Sequence, residues 1–153
     1  LDGRPYEIFG GLSEYVTIPK RYKNGKIIKT RNGKKNVNGR WAFYNLVIDD
    51  GEDDPLEVQN IAVTFNNGNY AAQTRMIFLA LRNGVPAQYI AEQLGRDENS
   101  DMFSFSKVMA RVLKKYVEDG AVGSDLCDQC GEKLVFEGGC VICKACSYSP
   151  KCS

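Results

Sequence analysis

At 153 residues the chain can hold one compact domain and a small appendage, and its 43% hydrophobic and 25% charged content is that of an ordinary globular protein. A net charge of +1 selects no polyanionic partner through a global field, and no apolar stretch approaches the length of a membrane span, which argues against a membrane role. Histidine is absent, removing the commonest general base, and no phosphate loop, nucleophile elbow or catalytic triad takes its place.

The chain opens on Leu1 rather than methionine, and the following residues read at once as a strand, Tyr6 to Phe9, closed by Gly10 and Gly11. That is the expectation for a piece of a longer polypeptide or one half of a split one. Aromatic and β-branched residues mark further strands over Tyr15–Ile18, Lys26–Thr30, Trp41–Ile48 and Leu56–Phe65. Asn24-Gly25, Asn32-Gly33 and Asn38-Gly39 offer the positive φ angles that tight hairpins need, so an antiparallel sheet with a long hairpin is predicted. Lys20 to Arg40 carries nine basic residues and no acid, while Asp49 to Glu57 carries six acids and no base. The two runs are expected to neutralise each other as a solvated hairpin facing a solvated loop.

The hydrophobic period then changes. Tyr70 to Asn83 places Ala71, Thr74, Ile77, Phe78 and Leu81 along one helical side, with Gly84 as a left-handed cap. Pro86 fits the first turn of a second helix that turns Ile90 and Leu94 inward and stops at Gly95. Ser104 can cap a third, in which Phe105, Val108, Met109, Val112, Leu113 and Tyr116 recur at three- and four-residue steps. All three stripes are most simply core. Asp119 to Ser124 reads as a linker.

All six cysteines follow, between Cys127 and Cys152. Two Cys-x-x-Cys pairs, Cys127/Cys130 and Cys143/Cys146, flank a short strand, Lys133 to Glu137, which is the spacing of a zinc ribbon. Without histidine an all-sulfur site is the natural choice. Four ligands leave Cys140 and Cys152 over as a candidate redox couple; a rival partition gives zinc Cys127, Cys130, Cys140 and Cys143 and leaves Cys146 and Cys152. A metal-free disulfide knot is the bland alternative. No secretory signal is read in the chain, and Cys-x-x-Cys favours metal or redox work in a reducing cytoplasm; an iron-sulfur cluster ranks lower still. The fold class expected is α+β: an antiparallel β region packed with about three helices over residues 1–120 (β-rich 1–66, helical 70–118), then a Cys-rich zinc-ribbon-like tail over 121–153.

With these elements placed, the sequence resembles the C-terminal region of adenosylcobalamin-dependent, or class II, ribonucleotide reductases. GRPYEIF at Gly3–Phe9 resembles the strand by which such chains leave the catalytic barrel, and RMIFLALRNGVPAQYIAEQL at Arg75–Leu94 resembles the helical pair that follows. CDQCGEKLVFEGGCVICKACSYSPKC resembles their cysteine-rich terminus. This chain departs from the pattern in having Ser147 where glycine usually follows the second pair, and in a wider Cys146-to-Cys152 spacing in which Pro150 is the candidate insertion. The basic and acidic segments look like an expansion whose role the resemblance does not supply. The barrel, with its radical-bearing cysteine and cobalamin surface, is not in this sequence.

The resemblance implies a redox relay in which two tail cysteines, Cys140 and Cys152 by the first partition, reduce active-site thiols of a separate or contiguous barrel. Thioredoxin or glutaredoxin then resets the tail. Adenosylcobalamin would belong to the barrel, zinc to this chain, and the chain alone should be inactive. The competing function is a nucleic-acid-binding module, since LRNGVPAQYIAEQLGRD resembles part of a helix-turn-helix and Lys20–Arg40 interleaves bases with Tyr22, Trp41 and Phe43. Against it, the helix face offers Gln88, Glu92 and Gln93 but no arginine for base edges. A structural zinc domain with idle extra cysteines is the third possibility.

Overall fold

A computed structural model describes residues 3–11, 16–19, 21–22, 24–31, 42–49, 51, 54–65, 67–96 and 100–150. The fold is α+β, with two small antiparallel sheets and four helices among these residues. Two compact units make it up: Phe9–Arg75, and Leu1–Ile8 together with Met76–Ser153. No helix here is long and apolar enough to cross a membrane.

In the Phe9–Arg75 unit, β1 (Lys26–Arg31), β2 (Ala42–Ile48) and β3 (Leu56–Val58) form an antiparallel sheet in that order, with Lys29 opposite Tyr44 and Leu46 opposite Val58. The strand expected over Leu56–Phe65 ends at Val58. Asn60 adopts a left-handed conformation (φ 49°) that asparagine tolerates, its amide donates to Asn45 Oδ1 at 3.0 Å, and its carbonyl starts the one-turn helix α1 (Ile61–Thr64). Ile61 joins Ile48 and Val58 among the buried side chains. Residues 6–9 and 16–18, also expected as strands, join no ladder. The Asn32-Gly33 and Asn38-Gly39 turns lie outside the described residues.

The hairpin register bears on the two charge runs. Asp49 follows β2 at the end where Lys26 pairs with Val47, whereas Arg31 pairs with Ala42 at the other end, about 17 Å of strand away. That exceeds the screening length of about 8 Å at physiological salt, so Asp49 offsets the Lys26 end of β1 and not Arg31.

In the second unit, the end of α2 (Gly68–Arg82), α3 (Ala87–Gly95) and α4 (Phe105–Lys114) enclose Ile77, Ala87, Ala91, Met109 and Leu113. Ala91 is fully buried, and its small side chain lets α3 lie close to α4. The expected caps are in place. Gly84 (φ 80°) ends α2, with Val85 N donating to the Ala80 carbonyl, and Ser104 Oγ accepts from Lys107 N. Lys107 Nζ donates to the Gly95 carbonyl at 2.6 Å, satisfying the C-terminal end of α3.

A three-stranded meander follows: β4 (Val122–Leu126), β5 (Lys133–Glu137) and β6 (Cys140–Cys143). Asp119 to Ser124 is therefore not a free linker. Gly120 N donates to the Phe136 carbonyl, Phe136 N to that of Ala121, and β4 begins at Val122. Gln88 donates to the Val122 carbonyl, Ser124 N donates to Glu92 Oε1, and Arg96 reaches the Ser124 hydroxyl, pinning β4 to α3. Val117 packs against both the helical core and the ribbon core of Cys127, Leu134, Phe136, Val141 and Cys143.

Candidate metal centre

Two equivalent turns build the site. Cys127 leaves β4 and Cys143 ends β6, and each begins a turn that places a second cysteine, Cys130 or Cys146, three residues on. Gly131 N donates to the Cys127 carbonyl at 2.8 Å, and Ser147 N to the Cys143 carbonyl at 2.9 Å. Each turn closes on a left-handed residue, Gly131 at φ 76° and Ser147 at φ 59°. Glycine adopts this conformation freely, but serine pays a steric penalty there, so the unusual serine sits at a position the turn constrains.

The Sγ atoms of Cys127, Cys130, Cys143 and Cys146 all lie within 4.8 Å of one another. Cys127 and Cys146 are 3.5 Å apart and Cys130 and Cys143 are 3.4 Å apart. Tetrahedral zinc thiolate sites have Zn–S bonds of about 2.3 Å and hence sulfur–sulfur edges of about 3.8 Å, so these distances suit one such ion. The first cysteine of each turn is buried and the second exposed.

Backbone amides two residues on, from Gln129, Glu132, Ala145 and Tyr148, hydrogen-bond the four sulfurs in turn. Such donors stabilise thiolate charge. For Cys143 the Cys146 amide leads, outweighing desolvation, and the thiol falls to about 7. For Cys130 the Glu132 amide favours the thiolate, yet the hydrogen bond shared with Cys143, desolvation and the other two thiols outweigh it and push the group up to about 12. Cys146 is likewise raised: the Tyr148 amide favours its thiolate, but desolvation and the contact with Cys127 prevail. Cys143 ionises readily while Cys130 and Cys146 resist, because clustered negative charges cannot share this volume without a cation. The donor set fits a metal ion such as zinc.

Cys140 is not in this group. It starts β6, opposite Glu137 beside the Gly138-Gly139 turn, and it is disulfide-bonded, while the four clustered cysteines are free. Cys152 lies outside the described residues. Sequence reasoning missed the chain between the second turn and the terminus: the Tyr148 carbonyl accepts from Cys143 N at 2.7 Å, and Ser149 Oγ donates to the Val141 carbonyl at 3.0 Å, so residues 148–149 run along the outer edge of β6. No periodicity signals such a contact.

Gln88 and Glu92, which the nucleic-acid reading would place against base edges, are engaged with β4. The helical residues and those before them carry the clearest kinship. Residues 1–118 match the family model of the NrdJ homologue C-terminal domain. This chain belongs to that family. NrdJ is the B12-dependent ribonucleotide reductase, so the protein is related to ribonucleotide reductases. The family match ends before Cys127, and the four-sulfur group stands on its own geometry. No curated protein and no solved structure matches the chain.

Proposed function

We propose that this protein is the C-terminal accessory part, or a split subunit, of a class II ribonucleoside-diphosphate reductase, and that it relays reducing equivalents to the reductase barrel in the cytoplasm. The observation that carries the reading is the segregation of sulfurs in a chain of this family: four clustered and free, Cys140 apart from them and disulfide-bonded. Zinc is held by Cys127, Cys130, Cys143 and Cys146 and keeps the ribbon folded. Cys140 and Cys152 are the redox pair. Adenosylcobalamin would be bound by the barrel, where it supplies the radical chemistry.

Each ribonucleotide reduced leaves a disulfide between two barrel thiols. A tail thiolate attacks that disulfide and forms a mixed disulfide; the second tail thiolate displaces the barrel sulfur. The barrel regains two thiols, and Cys140 and Cys152 become a disulfide. Thioredoxin or glutaredoxin returns two electrons and two protons. Zinc-bound thiolates are unsuited to this traffic, because surrendering one forfeits part of a binding free energy of about 10–16 kcal/mol.

The test is reconstitution with a reductase barrel. Cys152→Ser should stop multiple turnover driven by thioredoxin while sparing turnover driven by a small dithiol that enters the barrel directly. If neither Cys140→Ser nor Cys152→Ser affects thioredoxin-driven turnover, the relay is wrong and the tail is structural.

A further inference from the structure

We propose that the outer edge of β1 is a docking strand for an extended, acidic peptide segment of a partner protein, which adds to the sheet as a further strand. The site lies in the Phe9–Arg75 unit and does not depend on the redox reading above. β1 is an edge of its sheet, in the order β1-β2-β3, and among the described residues no strand pairs with its outer side. Every second residue along its length therefore turns a backbone amide and carbonyl outward, which is the pairing surface an added strand needs. Side chains alternate between the two faces of a sheet, so the neighbours Ile27 and Ile28 lie on opposite faces, and they are 50% and 45% exposed. A strand laid along the edge would cover both, one on each face.

Charge selects the occupant. β1 carries Lys26, Lys29 and Arg31 and no acid. Lys29 and Arg31 share a face with Ile27, and β2 and β3 contribute only Tyr44 and aliphatic residues to that face, while Glu57 lies on the other face and two strands away. A second copy of the chain does not fit: antiparallel self-pairing in the central register sets Lys26 against Arg31 twice, and like charges directly opposite oppose pairing. A nucleic acid fits poorly as well. Tyr44, the aromatic side chain on the face of Lys29 and Arg31, is already engaged by the Phe9 ring at 5.4 Å and by Lys29 Nζ at 5.4 Å, so it is no open platform for a base. An acidic strand answers both demands. Carboxylates two residues apart stand beside Lys29 and Arg31, and apolar side chains stand beside Ile27 and Ile28, so the segment recognised alternates acids with apolar residues.

The probe is a synthetic peptide of sequence EVEVVE, acetylated and amidated at its ends. In an antiparallel register it sets glutamates beside Arg31, Lys29 and Lys26 and valines beside Thr30, Ile28 and Ile27. Titrated with the full chain and followed by the anisotropy of a dye on the peptide, it should bind saturably, and more weakly as salt rises. Hydrogen exchange at the β1 amides should slow on binding, the mark of an added strand rather than of loose charge attraction. The charge-reversed peptide KVKVVK should not bind the wild type, a comparison that needs no variant to fold. Lys29→Glu combined with Arg31→Glu, both at exposed positions, should weaken EVEVVE by about tenfold, since two attractive cross-strand pairs become repulsive, and should let KVKVVK bind. Absence of EVEVVE binding up to about 1 mM would overturn the proposal. So would an affinity that the double variant leaves unchanged, or slowed exchange confined to residues other than β1. A single-stranded thymidine oligonucleotide that binds where EVEVVE does not would overturn it too and assign the basic edge to nucleic acid.

Discussion

The side-chain amide of Gln88 on α3 donates to the carbonyl of Val122 on β4, across 34 positions of sequence, and Glu92 one turn later accepts from the Ser124 amide at 3.2 Å. The helix face that a DNA reader would need is thus occupied by the ribbon. Glu92→Ala should lower stability by about 1 kcal/mol, less than is usual for a hydrogen bond to a charged acceptor because the Ser124 amide is exposed and can rehydrate. Urea unfolding checks this: the midpoint should fall with an unchanged m-value, and Glu92→Gln, which keeps an acceptor oxygen, should recover most of the loss.

Val117 contacts both cores, so damage to the metal centre should reach the helices. The protein is expected to bind one zinc per chain. Cys130→Ser should weaken that binding and lower the melting midpoint of the α3–α4 helical signal along with that of the ribbon. Elemental analysis and circular dichroism read the two effects. A helical midpoint that stays put while the ribbon unfolds would show that β4 does not couple the two cores.

Ser147 occupies a left-handed turn position that its counterpart Gly131 fills without strain. Ser147→Gly should hold zinc at least as tightly as the wild type. Ser147→Val, whose β-branched side chain suits this conformation worst, should weaken zinc by about tenfold, in line with a penalty of about 1–2 kcal/mol. Competition against a chromophoric chelator measures both. Equal affinities for Gly and Val would mean that the turn does not depend on this residue.

In the other unit, a methyl group at Gly11 would fall 2.5 Å from the Cβ and Cδ1 atoms of Phe65. The Phe65 Cβ is tied to its backbone and has little room to yield. Gly11→Ala should therefore destabilise the Phe9–Arg75 unit by about 1–3 kcal/mol, seen as an earlier thermal transition. An unshifted transition would show that Phe65 repacks at no cost.

Much of the fold was legible in the sequence because it is local. The stripes of Ile77, Leu81, Ile90, Leu94, Met109 and Leu113, the Gly84 stop and the Ser104 cap depend on neighbours within about one helical turn, and the structure realises them. The paired strands β1 and β2 were readable from their aromatic and β-branched content. The end of β3 was not: Leu56–Phe65 looks like one apolar run, and only the bond from Asn60 N to Asn45, fifteen residues earlier, starts a helical turn inside it.

The candidate site divides in the same way. Two Cys-x-x-Cys turns can be read from spacing, since each is a closed local loop, but spacing left open whether Cys140 joined the four-sulfur group. Strand register is what separates them: Cys143 lies opposite Leu134 and Cys140 opposite Glu137, three residues or about 10 Å along β6, so a single ion cannot span both ends of the strand. The pinning of β4 by Gln88 and Glu92, the double role of Val117 and the Ser149–Val141 contact were likewise decided by tertiary structure alone. Each joins groups brought together by a chain reversal, and the free energy that selects such contacts is shared across a whole core rather than written in any local stretch of residues.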